Sequence, residues 1–154
     1  IDGELLTKEN SRLWQNSIGY VSQSVFLLDS TLKENIAFGV EPNKIDMDRL
    51  HDVISLASLD EFVKTLPDGV DSNIGEGGCR ISGGERQRIG IARALYRKAD
   101  VLLFDEATSS LDSNTQSQIN EAIKKLSQKN PELTIVVIAH RASALDYCDY
   151  IVNM

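Results

Sequence analysis

Short runs of apolar, largely β-branched residues alternate along this chain with stretches in which apolar positions recur every three or four residues. Ile18-Gly19-Tyr20-Val21, Val101 to Phe104, Thr134 to Ala139 and Tyr150-Ile151-Val152 have the first pattern and predict strands. The two middle runs are continuously apolar past Thr134, the composition of strands covered on both faces of a parallel sheet. The second pattern predicts helices. Thr31-Leu32-Lys33-Glu34 has the spacing of a capping box, and Asp46 is placed to cap a helix carrying Leu50, Val53, Ile54 and Ala57. A helix after Gly84 sets Ile89, Ala92 and Leu95 on one face and turns Arg86 and Arg93 toward another. A further helix runs through Gln116, Ile119, Ala122, Ile123 and Leu126, with Asp112 or Ser113 as its N-cap. Pro67-Asp68-Gly69 reads as a turn and Ser72 to Gly78 as a loop. Strands alternating with helices make an α/β layer, and the mainly helical block between the first two strands reads as a subdomain inserted into it.

Bulk properties narrow the class. With 154 residues, 42% hydrophobic and 25% charged, the chain has single-domain size and enough apolar mass for a core. A net charge of −7 argues against a sequence-independent grip on nucleic acid, so Arg86, Arg88 and Arg93 read as a solvated or ion-paired helix face. Cys79 and Cys148 lack metal-site spacing and read as ordinary thiols. The longest apolar runs fall far short of the roughly 20 residues a membrane span needs. The chain starts at Ile1 rather than methionine, which is expected of a piece cut from something longer.

The chemistry concentrates in two segments. Ile81-Ser82-Gly83-Gly84-Glu85 begins a helix with glycines that leave backbone N–H groups bare, where the helix dipole favours a phosphate. Val101-Leu102-Leu103-Phe104-Asp105-Glu106 ends a buried strand in adjacent carboxylates, suited to holding Mg²⁺ and to polarising a water. By itself Ser-Gly-Gly marks a turn far more often than a phosphate site, and a lone Asp-Glu is an acidic turn. Their ordered combination specifies nucleotide chemistry. A phosphate-cradling G-x-x-x-x-G-K-[ST] loop is missing, since none of the ten glycines precedes a lysine. The chain has the marks of part of an ATPase.

On these residues the chain resembles the nucleotide-binding domain of ABC (ATP-binding cassette) transporters from beyond the phosphate loop. Ile81 to Glu85 is similar to the family's L-S-G-G-Q signature, with Ile81 and Glu85 as departures, and Leu102 to Glu106 to its Walker B strand. Tyr20-Val21-Ser22-Gln23 resembles the glutamine loop, Ser109-Ser110-Leu111-Asp112 the D-loop, and His140 the switch histidine. Ser72 to Gly78 and Phe26 to Ile36 resemble stretches of the exporter subgroup. The resemblance implies a P-loop NTPase (RecA-like) parallel sheet, incomplete at both ends. It divides the chain into a helical subdomain at about residues 31–89 and a core of 1–30 and 90–154.

The resemblance also implies roles. Asp105 and Gln23 would hold Mg²⁺, Glu106 would act on the attacking water, and His140 would contact the γ-phosphate. Ser82, Gly83, Gly84, Glu85 and Gln23 would meet ATP, Asp112 would touch a facing subunit, and Glu76 would lie near the membrane domains. The implied partners are a second nucleotide-binding domain, in a homo- or heterodimer, and transmembrane domains; the implied location is the cytoplasmic face of a membrane. The expected function is the C-terminal portion of an exporter's ATP-hydrolysing domain, inactive as a fragment. A soluble ABC ATPase of DNA repair shares signature and Walker B, but only about sixty residues separate Gln23 from Ser82 and no sustained heptads appear. A non-catalytic interaction fragment is the other alternative. Lacking the strand that leads into the phosphate loop, the sheet is expected to have an unfilled position between Val101 to Phe104 and Thr134 to Ala139, leaving exposed apolar edges.

Overall fold

The computed structural model describes residues 3–75, 79, 81–107, 111–139, 145 and 148–153. In chain order the elements are α1 (Ser11–Asn16), β1 (Ile18–Val21), β2 (Ser30–Thr31), α2 (Leu32–Ile36), α3 (Met47–Leu56), α4 (Asp60–Thr65), β3 (Asn73–Ile74), α5 (Gly83–Tyr96), β4 (Val101–Asp105), α6 (Ser113–Lys129) and β5 (Thr134–Ile138). Short 3₁₀ turns lie at Pro42–Lys44 and Gly69–Asp71.

The expected helix starts are built as the sequence specifies. Thr31 Oγ1 accepts from the Glu34 N–H while a Glu34 carboxylate oxygen accepts from the Thr31 N–H, completing the capping box of α2. Asp46 accepts from the Arg49 N–H. Asp112, rather than Ser113, caps α6 by accepting the N–H groups of Asn114 and Thr115 at 3.1 and 3.0 Å. Each cap satisfies donors that the first turn of a helix leaves without a partner.

β1, β4 and β5 form a parallel sheet in the order β1-β4-β5. Register pairs Tyr20 with Leu103, and Leu103 with Val136. This corrects the expected gap: β4 and β5 are hydrogen-bonded neighbours from Val101↔Thr134 to Asp105↔Ile138, so no strand position lies between them. Side chains alternate across the pleat, and the face carrying Val21, Leu102 and Phe104 is buried with Ile89, Ile91, Ile119 and Ile123 of α5 and α6 in one apolar core. The other face carries Tyr20, Val136 and Ile138, which are 54, 43 and 42% exposed. Coverage on both faces, expected from the apolar runs, therefore holds for one face among the described residues. The runs cannot distinguish the two cases, because composition records what a strand can bury and not what packs on it.

Two further expectations change. Tyr150-Ile151-Val152 makes no strand and is exposed, since β-propensity needs a neighbouring strand to act on. The stretch from Ser72 is not wholly loop: Asn73 and Ile74 pair antiparallel with Thr31 and Ser30. The pairing sets β3 against the start of α2, whose Leu32 N–H donates to the Ser72 carbonyl at 3.0 Å.

Helix α5 joins the layers, packing on β1 on one side and on α2 and α3 on the other. Arg49 of α3 donates to the Tyr96 and Leu95 carbonyls at the end of α5, at 2.7 and 3.0 Å, and the Tyr96 hydroxyl accepts from the Asp46 N–H. A cation on carbonyls at a helix C-terminus is doubly favourable, through hydrogen bonding and through the dipole.

Candidate functional site

At the C-terminal end of β4 the chain turns sharply. Glu106 has φ +49°, a left-handed conformation costly for a residue with a Cβ, and its N–H donates to the Ile138 carbonyl at 3.0 Å. That bond holds the turn against the end of β5. From this position Glu106 Oε2 accepts from Gln23 Nε2 at 3.3 Å, across the 83 residues that separate them in sequence. Asp105, one residue earlier and the last of β4, accepts at Oδ2 from the Tyr20 hydroxyl at 2.7 Å. Donating this hydrogen bond raises the Tyr20 phenol's pKa, since the bond holds the proton and losing it would place two negative oxygens together. Thus β1 and the turn after it contribute Tyr20 and Gln23, and β4 contributes Asp105 and Glu106, to one end of the sheet.

The start of α5 is the second part. Ser82 is its N-cap: Ser82 Oγ accepts from the Glu85 N–H at 3.2 Å. Ser82 N–H and O–H both donate to Glu85 Oε2, at 2.8 and 2.7 Å. Glu85 therefore completes a capping box in which its carboxylate occupies the donors that a phosphate would use. A β-carbon at Gly83 would meet nothing within 4 Å, and one at Gly84 only Leu111 Cδ2 at 3.5 Å. The packing of this chain does not require glycine there, and the backbone is open to an approaching group. Asp112 lies on the loop that supplies Leu111, with its carboxylate committed to the cap of α6; His140, Glu76, Ser109 and Ser110 lie outside the described residues.

The two parts are tied together by contacts that the motif reading does not contain. Gln87, buried on α5, donates from Nε2 to the Ser22 carbonyl at 2.9 Å, one residue before Gln23. Its signal in the sequence is a polar side chain in the stripe Gln87, Gly90, Ile91, Ala94, a helical face that is otherwise apolar or bare. Asn35 is fully buried, accepting from the Leu28 N–H and donating to the carbonyls of Leu28 and Thr31, which fixes the loop leading into α2. Nothing local marks that asparagine. Arg93 donates to the Asn35 and Phe26 carbonyls at 2.8 and 3.0 Å and lies over the Phe38 ring, and Arg88 donates to the Ser58 carbonyl at 3.0 Å. These two arginines are thus half-buried braces on backbone carbonyls rather than a wholly solvated face; Arg86 is exposed as expected. The guanidinium fork favours this, because its donors diverge in one plane toward separate acceptors.

The donor set suits Mg²⁺, a hard cation that takes one or two carboxylates and keeps water and phosphate oxygens as its other ligands. Among the described residues no three His, Cys, Asp or Glu side chains gather as a metal cage. No helix among them is long and apolar enough to cross a membrane.

Residues 1–109 match the profile of the ABC transporter family. The chain belongs to that family, as the signature and Walker B resemblances imply. It is 42% identical over 153 residues to an ATP-dependent lipid A-core flippase of Ralstonia nicotianae, an alignment covering 99% of this chain and 25% of the relative. It is 44% identical over 154 residues to the flippase of that description from Francisella novicida, covering 100% of this chain and 25% of the relative. A solved structure of a bacterial Atm1-family ABC exporter with ATP bound superimposes with a TM-score of 0.74 at 34% identity, over 85% of this chain and 22% of that one. The chain spans about a quarter of the length of the curated relatives it matches. It is a part of an exporter-type nucleotide-binding domain, with the α/β fold that this class implies.

Proposed function

We propose that this chain is the signature-bearing and Walker B-bearing portion of an exporter ATPase, in which ATP binding and hydrolysis drive transport across a membrane. The observation that carries the proposal is Glu106 held in a left-handed turn beside Asp105, with Gln23 on its carboxylate at 3.3 Å. Strained backbone at a pair of carboxylates is retained where geometry matters to chemistry. In this reading Asp105 and Gln23 hold Mg²⁺, which when bound offsets charge on the phosphate oxygens. Glu106 orients the attacking water and takes its proton, with the Gln23 amide fixing the carboxylate's direction. The same reading gives His140 the task of bonding the γ-phosphate and helping to hold that water.

Ser82, Gly83 and Gly84 serve a nucleotide held by a second nucleotide-binding domain in a two-fold sandwich, with Asp112 at the contact. The open space at both glycines supports this. Glu85 must then release the Ser82 donors as the phosphate arrives, so closure exchanges one anion for another at the helix start. Exposed Phe26, Leu28, Phe38 and Val40 around the braces from Arg93 support docking of membrane-spanning domains there. Coupling to those domains through Glu76 belongs to the same proposal. The division into a helical unit at about 31–89 and a core of 1–30 and 90–154 belongs to the same proposal, with α5 spanning the junction. The intact protein would sit at the cytoplasmic face of a membrane.

The test uses the full-length protein that carries this chain. Glu106→Gln slows hydrolysis by roughly a hundredfold or more while ATP binding persists, the scale of a lost general base. His140→Ala acts in the same direction. Near-normal turnover in Glu106→Gln removes that carboxylate from its role.

A further inference from the structure

The geometry points to Tyr20 as a positioning residue for Asp105, its hydroxyl orienting the carboxylate that faces the metal. This rests on the reading of Asp105 as a Mg²⁺ ligand. Tyr20 pairs with Leu103, two residues before Asp105 on the adjacent parallel strand, and alternation puts all three side chains on one face. Two residues of strand rise about 6.6 Å, close to the reach of a phenol along the strand. The hydroxyl consequently arrives at Asp105 Oδ2, at 2.7 Å.

Among the described residues the tyrosine's side of the sheet is uncovered, and the residue is 54% exposed, so packing within this stretch does not account for it. Among the described residues its hydroxyl engages Asp105 alone. A neutral O–H is the suitable donor for a metal-binding carboxylate: it takes one lone pair and fixes the rotation about χ2, yet leaves the full negative charge to attract a cation. A lysine or arginine at position 20 would orient the carboxylate equally well but cancel that charge. Tyr20 therefore does for Asp105 what Gln23 does for Glu106, so that each carboxylate at the strand end is held by a neutral donor from β1 or the turn after it.

The experiment compares the full-length protein with its Tyr20→Phe and Asp105→Asn variants, each with saturating non-hydrolysable ATP analogue, and measures Mn²⁺ occupancy by electron paramagnetic resonance. Phenylalanine keeps the ring and removes only the hydroxyl. Tyr20→Phe raises the Mn²⁺ concentration for half-occupancy about ten- to a hundredfold, the scale of losing an outer-shell hydrogen bond to a metal ligand. Its ATPase rate falls at limiting Mg²⁺ and recovers as Mg²⁺ is raised. Unchanged Mn²⁺ occupancy in Tyr20→Phe overturns the proposal. So does a loss of turnover that extra Mg²⁺ does not restore, which marks a structural role. If Asp105→Asn binds Mn²⁺ as the unmodified protein does, the ligand reading itself fails; if it loses Mn²⁺ while Tyr20→Phe does not, only the positioning role fails.

Discussion

Gln87 on α5 donates to the carbonyl of Ser22 at 2.9 Å, and its side chain is 3% exposed. Ser22 precedes the glutamine whose amide touches Glu106, and Gln87 lies one and a half turns into the helix that Ser82 caps. A part-buried hydrogen bond thus joins the turn bearing Gln23 to the signature helix. Such a bond is costly to break, because the amide of the buried Gln87 would be left without a partner. Movement of the turn must then carry α5 with it, or expose that pair.

Replacing Gln87 with Leu leaves the Ser22 carbonyl without its donor. The chain loses roughly 1–3 kcal/mol of stability, the cost of an unsatisfied buried acceptor. Urea unfolding monitored by circular dichroism measures the change, and a variant as stable as the original would show that water replaces the amide.

Gly90 sets how closely α5 approaches the segment after the glutamine turn. A β-carbon there would lie 2.5 Å from Val25 Cγ2. Gly90→Ala therefore destabilises the chain by about 1–3 kcal/mol through overpacking, despite alanine's better helix propensity. Adding Val25→Ala makes room and recovers part of the loss, giving a favourable coupling in a double-mutant cycle. Strictly additive effects would mean that the two residues do not press on each other.

Gly84→Asp in the full-length protein adds bulk and negative charge where the sandwich reading puts a phosphate of the facing nucleotide. ATP-driven association of the nucleotide-binding domains falls at least about tenfold, a coupling of about 1.4 kcal/mol, while ATP binding to each domain is kept. Light scattering with and without ATP separates the two. Loss of nucleotide binding with association intact would place this glycine in its own subunit's site.

Acid sensitivity has a local source at the start of α6. Hydrogen bonds from Thr115, side chain first and backbone second, hold the Asp112 carboxyl below its usual range. A depressed folded pKa means that the carboxylate's contribution is complete above the unfolded value of about 3.9 and disappears as pH falls through the folded value. Asp112→Asn keeps a capping oxygen but has no proton to gain. Melting temperatures of the variant consequently fall less steeply than those of the original between about pH 5 and 2. Parallel curves would assign the acid loss to other carboxylates.

Local signals were sufficient where the physics is local. Thr31 and Asp46 each reach an N–H three residues away, so spacing alone specifies the cap, and both are formed; the choice of Asp112 over Ser113, and Ser82 as the cap of α5, came with the structure. Glu85 stood in the sequence as a departure from the signature; its position three residues after Ser82 already contained the capping box. The family, too, was legible from the order of short motifs. What tertiary structure decided is which strands are neighbours and what meets across them. Apolar runs at Val101 and Thr134 predict two strands covered on both faces, but say neither that one face stays open nor that the strands pair directly, and Tyr150 to Val152 shows that β-propensity makes no strand without a partner. Tyr20 on Asp105, Gln23 on Glu106 and Gln87 on Ser22 join residues 85, 83 and 65 positions apart. Their geometry comes from sheet order, pleat and helix packing acting together, and periodicity within a single segment carries no record of the segment on the other side.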